Sequence, residues 1–219
     1  PEPRELSLAI AAAYDPKHAE EGPARPLGEI LRVPAAFVAV AAMVFGQLIM
    51  VMLMVITPLH MRGHEHELSS ISFVISVHVV GMFAFSILSG RLADRVGRGP
   101  VIAAGAAILI LACLSARLSP DVLPMSVALF LLGLGWNFCY VAGSSLLADQ
   151  LSPAERGRTQ GFNDLLIGLT SAAGSLSSGI VFAGIGYGAM AVVAAVVAVI
   201  PLLLTAWWQF RVRPAPATQ

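Results

Sequence analysis

The sequence predicts an all-α membrane protein with six transmembrane helices, and three observations predict it. Hydrophobic residues make up 57% of the 219 and charged residues only 12%, about half the charged share of an ordinary soluble domain. Mean hydropathy is +0.81, and a soluble domain of this length has too large a solvated exterior to hide so much apolar surface. The thirteen basic and thirteen acidic residues cancel, and between Arg32 and Arg211 they fall in a few short clusters separated by long uncharged stretches. Those stretches have helical length, and the alternating strands about ten residues long that a membrane barrel needs are absent. A disordered chain, a disulfide-stapled secreted module and an ordinary cytosolic enzyme domain are excluded by the same numbers.

Residues 1–33 precede the first span. They hold six acidic and four basic residues, with prolines at 1, 3, 16, 23 and 26, and read as a polar linker with one short helix around Leu6–Ala13. Pro1 is not an initiator, and no basic segment leads into a short apolar run as a signal peptide requires. The chain reads as the continuation of a longer protein. The uncharged stretches then run 33–61, 68–90, 99–116, 122–148 and 165–210, with 29, 23, 18, 27 and 46 residues. A hydrocarbon core about 30 Å thick takes roughly 20 helical residues, so the first four supply one span each. As a single helix the last would reach roughly 70 Å at about 1.5 Å per residue. It divides at Gly184-Ile185-Gly186-Tyr187-Gly188, where glycines let the chain reverse, into a fifth and a sixth span. The membrane domain covers 34–211 and a short tail 212–219.

Six spans place both termini on one side, with the connections after the second and fourth spans. That side carries Arg4, Lys17, Arg25, Arg32, Arg91, Arg95, Arg98, Arg156, Arg158, Arg211 and Arg213, and the other only Arg62 and Arg117. The positive-inside bias makes the richer side cytoplasmic, in the cell membrane, and Trp207 and Trp208 suit the interfacial belt there. Cys113 and Cys139 fall inside spans, where a packing role outweighs a disulfide.

Helix faces supply the site candidates. In the first span Met43, Gln47, Met50 and Met54 recur at i, i+4, i+7 and i+11, a stripe with one polar member. Flexible thioethers suit varied apolar ligands, and core packing is the plain alternative. In the fourth span Gly133, Asn137, Tyr140 and Ser144 form a polar stripe beside Trp136. An amide facing lipid is costly, so Asn137 meets either a neighbouring helix or a ligand. Gly168, Ala172, Ser175 and Gly179 make a small-residue stripe in the fifth span, suited to close helix contact. His78, mid-way along the second span, is a candidate proton site or a neutral histidine bonded to a neighbour. Asp164 reads as the N-terminal charge of the fifth span, favoured by the helix dipole. His60, His64 and His66 with Glu65 and Glu67 form a polar loop in which metal binding is the weaker reading. No phosphate loop, nucleophile elbow or H-E-x-x-H motif is present.

The most specific motif is Gly90-Arg91-Leu92-Ala93-Asp94-Arg95-Val96-Gly97-Arg98-Gly99-Pro100, read as the loop between the second and third spans. It resembles the signature of the major facilitator superfamily, G-x-L-x-D-R-x-G-R-[RK], carried here by Gly90, Leu92, Asp94, Arg95, Gly97 and Arg98. It departs at Gly99, where the family has a second basic residue. Asp149 followed by Pro153-Ala154-Glu155-Arg156-Gly157 resembles the loop after the fourth helix of a half in that family. The resemblance implies half of a twelve-helix fold, with 1–33 as the central loop and the six spans as the carboxyl-terminal half. Its partners would be the lipid bilayer, the amino-terminal six-helix half, a small-molecule substrate and protons, with no cofactor and no nucleic acid. It also implies that the first and fourth spans line the substrate cavity, the second and fifth meet the other half, and the third and sixth face lipid. Arg95 is expected to pair with Asp149, with Arg156 nearby. The expected function is secondary transport, as proton-coupled efflux of amphipathic compounds. A six-helix scaffold or sensor that does not transport is the alternative. An enzyme would want His, Asp or Ser clustered at one membrane depth, which the sequence does not show.

Overall fold

The computed structural model describes residues 24–212. The short helix expected around Leu6–Ala13, and Arg4, Lys17 and Arg213, lie outside the described residues. The chain enters through a short helix, α1 (Leu27–Arg32). Proline at the first helical position, where its missing N–H is no loss, then opens α2 (Pro34–Gly63). The second span is two helices, α3 (Leu68–Phe83) and α4 (Ser86–Val96), and α5 (Arg98–Ala116) and α6 (Val122–Ala148) follow. Proline again opens α7 (Pro153–Trp207), which a π-helical turn, Trp208–Val212, extends. Among the described residues five helical stretches are long and apolar enough to cross a membrane, with α3 and α4 counted as one.

Two glycines set the course of the chain. The signature segment, expected as a loop, is helical as far as Val96, and the whole connection to α5 is Gly97 at φ 99° and ψ 153°. A side chain would strain that conformation, and a single glycine reaches it freely. The flanking residues therefore stay helical. The second glycine is Gly186, at φ 76° and ψ 172°, the one non-helical residue inside α7. Before it, contacts advance along α2: Asn163 meets Met43, and Ser171 meets Gln47. A Cβ placed on Gly174 would stand 3.1 Å from Leu48. After it, contacts run back along α5, from Gly188 beside Arg117 to Gln209 beside Gly99.

Small residues let the helices close up. A Cβ on Gly81 of α3 would stand 2.5 Å from the Phe130 carbonyl oxygen of α6, and one on Gly133 would meet the α3 backbone at His78 and Met82. Gly105 and Gly135 make a second crossing, between α5 and α6. Such contacts supply van der Waals packing where lipid removes the hydrophobic drive between helices. Large apolar side chains fill the rest, in one cluster around Ile49, Leu53, Leu129 and Met190 and another around Ile30, Met43, Ile102 and Leu147. Ile30 is fully buried, so the last residues of the expected linker are docked on the bundle. The stripe Gly168, Ala172, Ser175 and Gly179, expected to pack closely, is exposed on this chain. Asn163, Gly174 and Ser178 form the buried face instead.

Candidate functional site

Three helices meet at mid-length around a polar and aromatic set. Trp136 Nε1 of α6 donates to Gln47 Oε1 of α2 at 2.8 Å, and Gln47 Nε2 donates to Ser171 Oγ of α7 at 2.9 Å. Ser171 in turn donates to the Ile167 carbonyl. The Trp136 and Tyr140 rings stack with centroids 4.9 Å apart, and Phe83 meets Trp136 edge-on. Gln47, Trp136, Tyr140 and Ser171 are each half-buried, so one side of the set is open. Of the methionine stripe, Met43 and Met50 are buried in the core and Met54 packs against it. The stripe expected along the fourth span also divides. Gly133 and Asn137 turn to α3 and α4, away from the open set.

Asn137 is 1% exposed and fully engaged. Its Nδ2 donates to the Met82 carbonyl at 2.7 Å and to Ser86 Oγ at 2.9 Å, and its Oδ1 accepts from Ser89 Oγ at 2.6 Å. The amide thus holds the break between α3 and α4, so it meets a neighbouring helix. His78 is 1% exposed. Its Nδ1 lies 2.9 Å from the Leu129 carbonyl, which can only accept, so Nδ1 carries the hydrogen and, in the neutral ring, Nε2 keeps a lone pair. That Nε2 is buried without a partner.

At the end of the bundle rich in arginine, Arg98 opens α5 directly after the Gly97 turn. Its Nε donates to Asp149 Oδ2 at 3.1 Å, and its Nη1 donates to Asp94 Oδ1 at 2.7 Å and to the Ala93 carbonyl. The expected partner of Asp149 was Arg95, and that expectation is corrected. With α4 helical through Val96, Arg95 is turned outward and exposed, and the turn hands Asp149 to Arg98. Gly90 and Leu92 lie on α4, with Leu92 packed against the core. A Cβ on Gly99 would stand 2.7 Å from Nε2 at the end of the Gln209 side chain. Asp94, Arg98, Asp149, Gln150 and Trp208 line an open pocket of about 370 Å³ there. Exposed ion pairs contribute only about 0–1 kcal/mol. Arg98→Asp and Asp149→Arg should therefore each lower the melting temperature in detergent slightly without unfolding the bundle, and the double exchange should recover part of the loss. An equal loss in all three would deny the pairing.

Residues 35–219 match the family profile described as Major Facilitator Superfamily. The chain belongs to the major facilitator superfamily. Members of this superfamily are membrane transporters, not enzymes, and the chain is accordingly a multi-pass membrane protein. It is 33% identical over 209 residues to the uncharacterized MFS-type transporter YdeG of Bacillus subtilis, covering 94% of this chain and 48% of that protein. It is 37% identical over 155 residues to the riboflavin transporter RfnT of Brucella anthropi, covering 71% of this chain and 39% of that protein. A shorter match, 34% over 102 residues, covers 47% of this chain and 25% of the multidrug resistance protein MdtL of Escherichia coli. The chain spans about half the length or less of these superfamily relatives.

Two features of this superfamily chain escaped the sequence reading. Glu155 is 2% exposed and accepts from the Arg25 backbone N–H and Nε at 2.9 and 2.7 Å through Oε1, and from Nη2 at 2.9 Å through Oε2. Arg25 Nη2 also donates to the Gln150 carbonyl, and Arg158 donates to the Arg25 carbonyl. Hydrogen bonding to Glu155 holds the Arg25 guanidinium above its ordinary pKa. The signal was present as Ser152-Pro153-Ala154-Glu155, a capping box that the structure forms in full. Arg156, the expected participant, is exposed and joins none of the ion pairs among the described residues. The second feature is Asp164, read as opening a helix. Helix α7 begins at Pro153, so Asp164 lies about three turns inside it, where no free backbone N–H remains to cap. It is exposed, with Gln160 Nε2 donating to its Oδ1 at 3.0 Å.

Proposed function

We propose that the chain is the carboxyl-terminal, six-crossing half of a secondary transporter of the cell membrane, with both termini cytoplasmic. In this reading Gln47, Trp136 and Tyr140 are its share of the substrate wall. The observation that carries it is the half-exposed set itself, at the middle of α2, α6 and α7, in stretches that are otherwise apolar and uncharged. An amide and a hydroxyl turned to lipid are costly, so such a surface asks for a water-filled cavity closed by a second wall. Carriers of two repeated halves place their substrate at such a midplane interface. The reversal of contacts at Gly186 supports a sixth crossing, and the eleven basic residues on one side support the orientation.

The wall suits an amphipathic small molecule with a planar ring to lie on the Trp136–Tyr140 stack and polar atoms to meet Gln47. A riboflavin transporter and a multidrug resistance protein among the relatives agree with that chemistry. Export driven by protons is the preferred direction. The free lone pair of His78 Nε2 supports proton handling, since imidazole exchanges protons near neutral pH. Residues 1–219 expressed alone should insert but give background flux of riboflavin and ethidium. Joined to the amino-terminal half, they should give saturable, proton-dependent flux. A purified, monomeric 219-residue chain that catalysed such flux in liposomes would overturn the half-carrier reading.

A further inference from the structure

We propose that His60 and His64 form a divalent transition-metal site at the end of α2, of the kind that takes Cu²⁺ or Ni²⁺. The site lies apart from the substrate wall and does not depend on it.

Placement comes first. His60 stands in the last turn of α2, and His64 caps the helix four residues on. Side chains at that spacing are neighbours on one helix face. The two imidazole rings lie with centroids 4.5 Å apart and planes at 69°. Neither ring is loose. His60 stacks on Tyr187, with centroids 4.1 Å apart and planes within 4°. Tyr187 is itself buried, its hydroxyl 2.7 Å from Thr57 Oγ1. His64 is tied through Nδ1, 2.9 Å from the His60 carbonyl. The chain then turns at Glu65, φ 62°, which takes His66 off the helical face. His64 is exposed and His60 half-buried, so an ion from solution reaches the pair.

The bond from His64 sets the chemistry. A carbonyl only accepts, so Nδ1 carries the hydrogen and the neutral ring presents a bare Nε2. Metal-binding histidines almost always give their second N–H to a carbonyl, a carboxylate or water in this way. Among the described residues no hydrogen bond engages a ring nitrogen of His60, so its lone pair is free as well.

Geometry selects the ion. An imidazole nitrogen about 2.0–2.1 Å from a metal puts the ring centre roughly 3.2 Å from it. Rings 4.5 Å apart then meet one ion at an angle of about 90°, that of adjacent ligands in a tetragonal Cu²⁺ or Ni²⁺ centre. A tetrahedral zinc centre asks for a wider spread. Among the described residues no group of three histidines, cysteines or carboxylates is placed to hold an ion, so water fills the remaining positions. The carboxyl end of a helix also favours a cation. Of the fixed charges at this end of the bundle, Glu65, Glu67 and Asp121 outnumber Arg62 and Arg117.

The test uses Cu²⁺ alone, added at neutral pH to the full-length, untagged protein in phosphatidylcholine nanodiscs. Calorimetry reads affinity, and the nitrogen hyperfine pattern in electron paramagnetic resonance counts the imidazoles on the ion. His60→Phe keeps a ring on Tyr187 and removes the nitrogen, and His64→Gln changes an exposed side chain. Each should weaken Cu²⁺ binding at least about tenfold, because the second ligand of a linked pair binds intramolecularly, and each should reduce the pattern from two imidazoles to one. His66→Gln should leave both readouts as in wild type. Unchanged affinity and pattern in His60→Phe would overturn the site. So would a loss in His66→Gln as large as in the other two, which would mean binding by a loose histidine segment. Neither result bears on the half-carrier reading, since the pair needs α2 and Tyr187 only.

Discussion

Gly133→Leu should be the most damaging single change in the bundle. A Cβ at Gly133 already collides with the α3 backbone at the His78 carbonyl and the Met82 nitrogen, and backbone cannot rotate away as a side chain can. The second and fourth spans would have to separate, and the facing contact of Gly81 with Phe130 would open with them. Overpacking a tight core costs about 1–3 kcal/mol, and a backbone clash belongs at the upper end. The same change at Gly157, which has open space around its Cβ position, should be neutral or mildly stabilising, because leucine is the better helix former. Thermal melts followed by size-exclusion chromatography in detergent would compare the two. A Gly133→Leu protein that melted with wild type would show that α3 and α6 do not approach as closely as described.

The second large effect is expected at Asn137. Replacement by leucine removes three hydrogen bonds at once, but their loss is unequal. Ser86 Oγ also donates to the Phe83 carbonyl, and the single Ser89 hydroxyl hydrogen has the Phe85 and Ser86 carbonyls within reach as alternatives to Asn137, so both serines fall back on their own helices. The Met82 carbonyl, in the last turn of α3, loses its side-chain donor. Interhelical hydrogen bonds in membranes average only about 0.6 kcal/mol, whereas stranding a buried acceptor costs about 1–3 kcal/mol. The cost at Asn137 should follow the second figure, because little else can reach Met82. Unfolding in sodium dodecyl sulfate would measure it. Ser89→Ala on the leucine background should then add less than it costs in the wild type, and full additivity would place the two side chains in separate environments.

How much of this was legible in advance varies from residue to residue. The long uncharged stretches map onto helices because the bilayer leaves a spanning backbone few alternatives. The glycine run was read as the place where the 46-residue stretch divides into two spans, and one member, Gly186, carries the positive φ. The partner of Asp149 was misjudged by one helical turn. A string of residues shows which charges are available, and the conformation of Gly97 decides which of them faces inward. The stripe written as Gly133, Asn137, Tyr140 and Ser144 was a spacing argument, and two of its members face a different neighbour. Periodicity finds a polar face, while the packing of surrounding helices decides how that face is shared. Asp164 was misread for a related reason. The uncharged stretch starts after it, but Ser152 and Pro153 start the helix well before, and charge spacing carries no information about where a helix is nucleated.

The clamp on Arg25 has a consequence for the order in which the molecule is made. Its two sides are 130 residues apart, so the ribosome has emitted Arg25 and four whole spans before Glu155 exists. Until then nothing fixes the entry segment at this position, and Ile30 has no completed core to enter. Once α7 begins, the Ser152 cap organises Glu155, and both backbone polar groups of Arg25 are seized together with its guanidinium. Closure of this joint thus marks the arrival of the fifth span, and the entry segment, made before four spans, is fixed in place only after them.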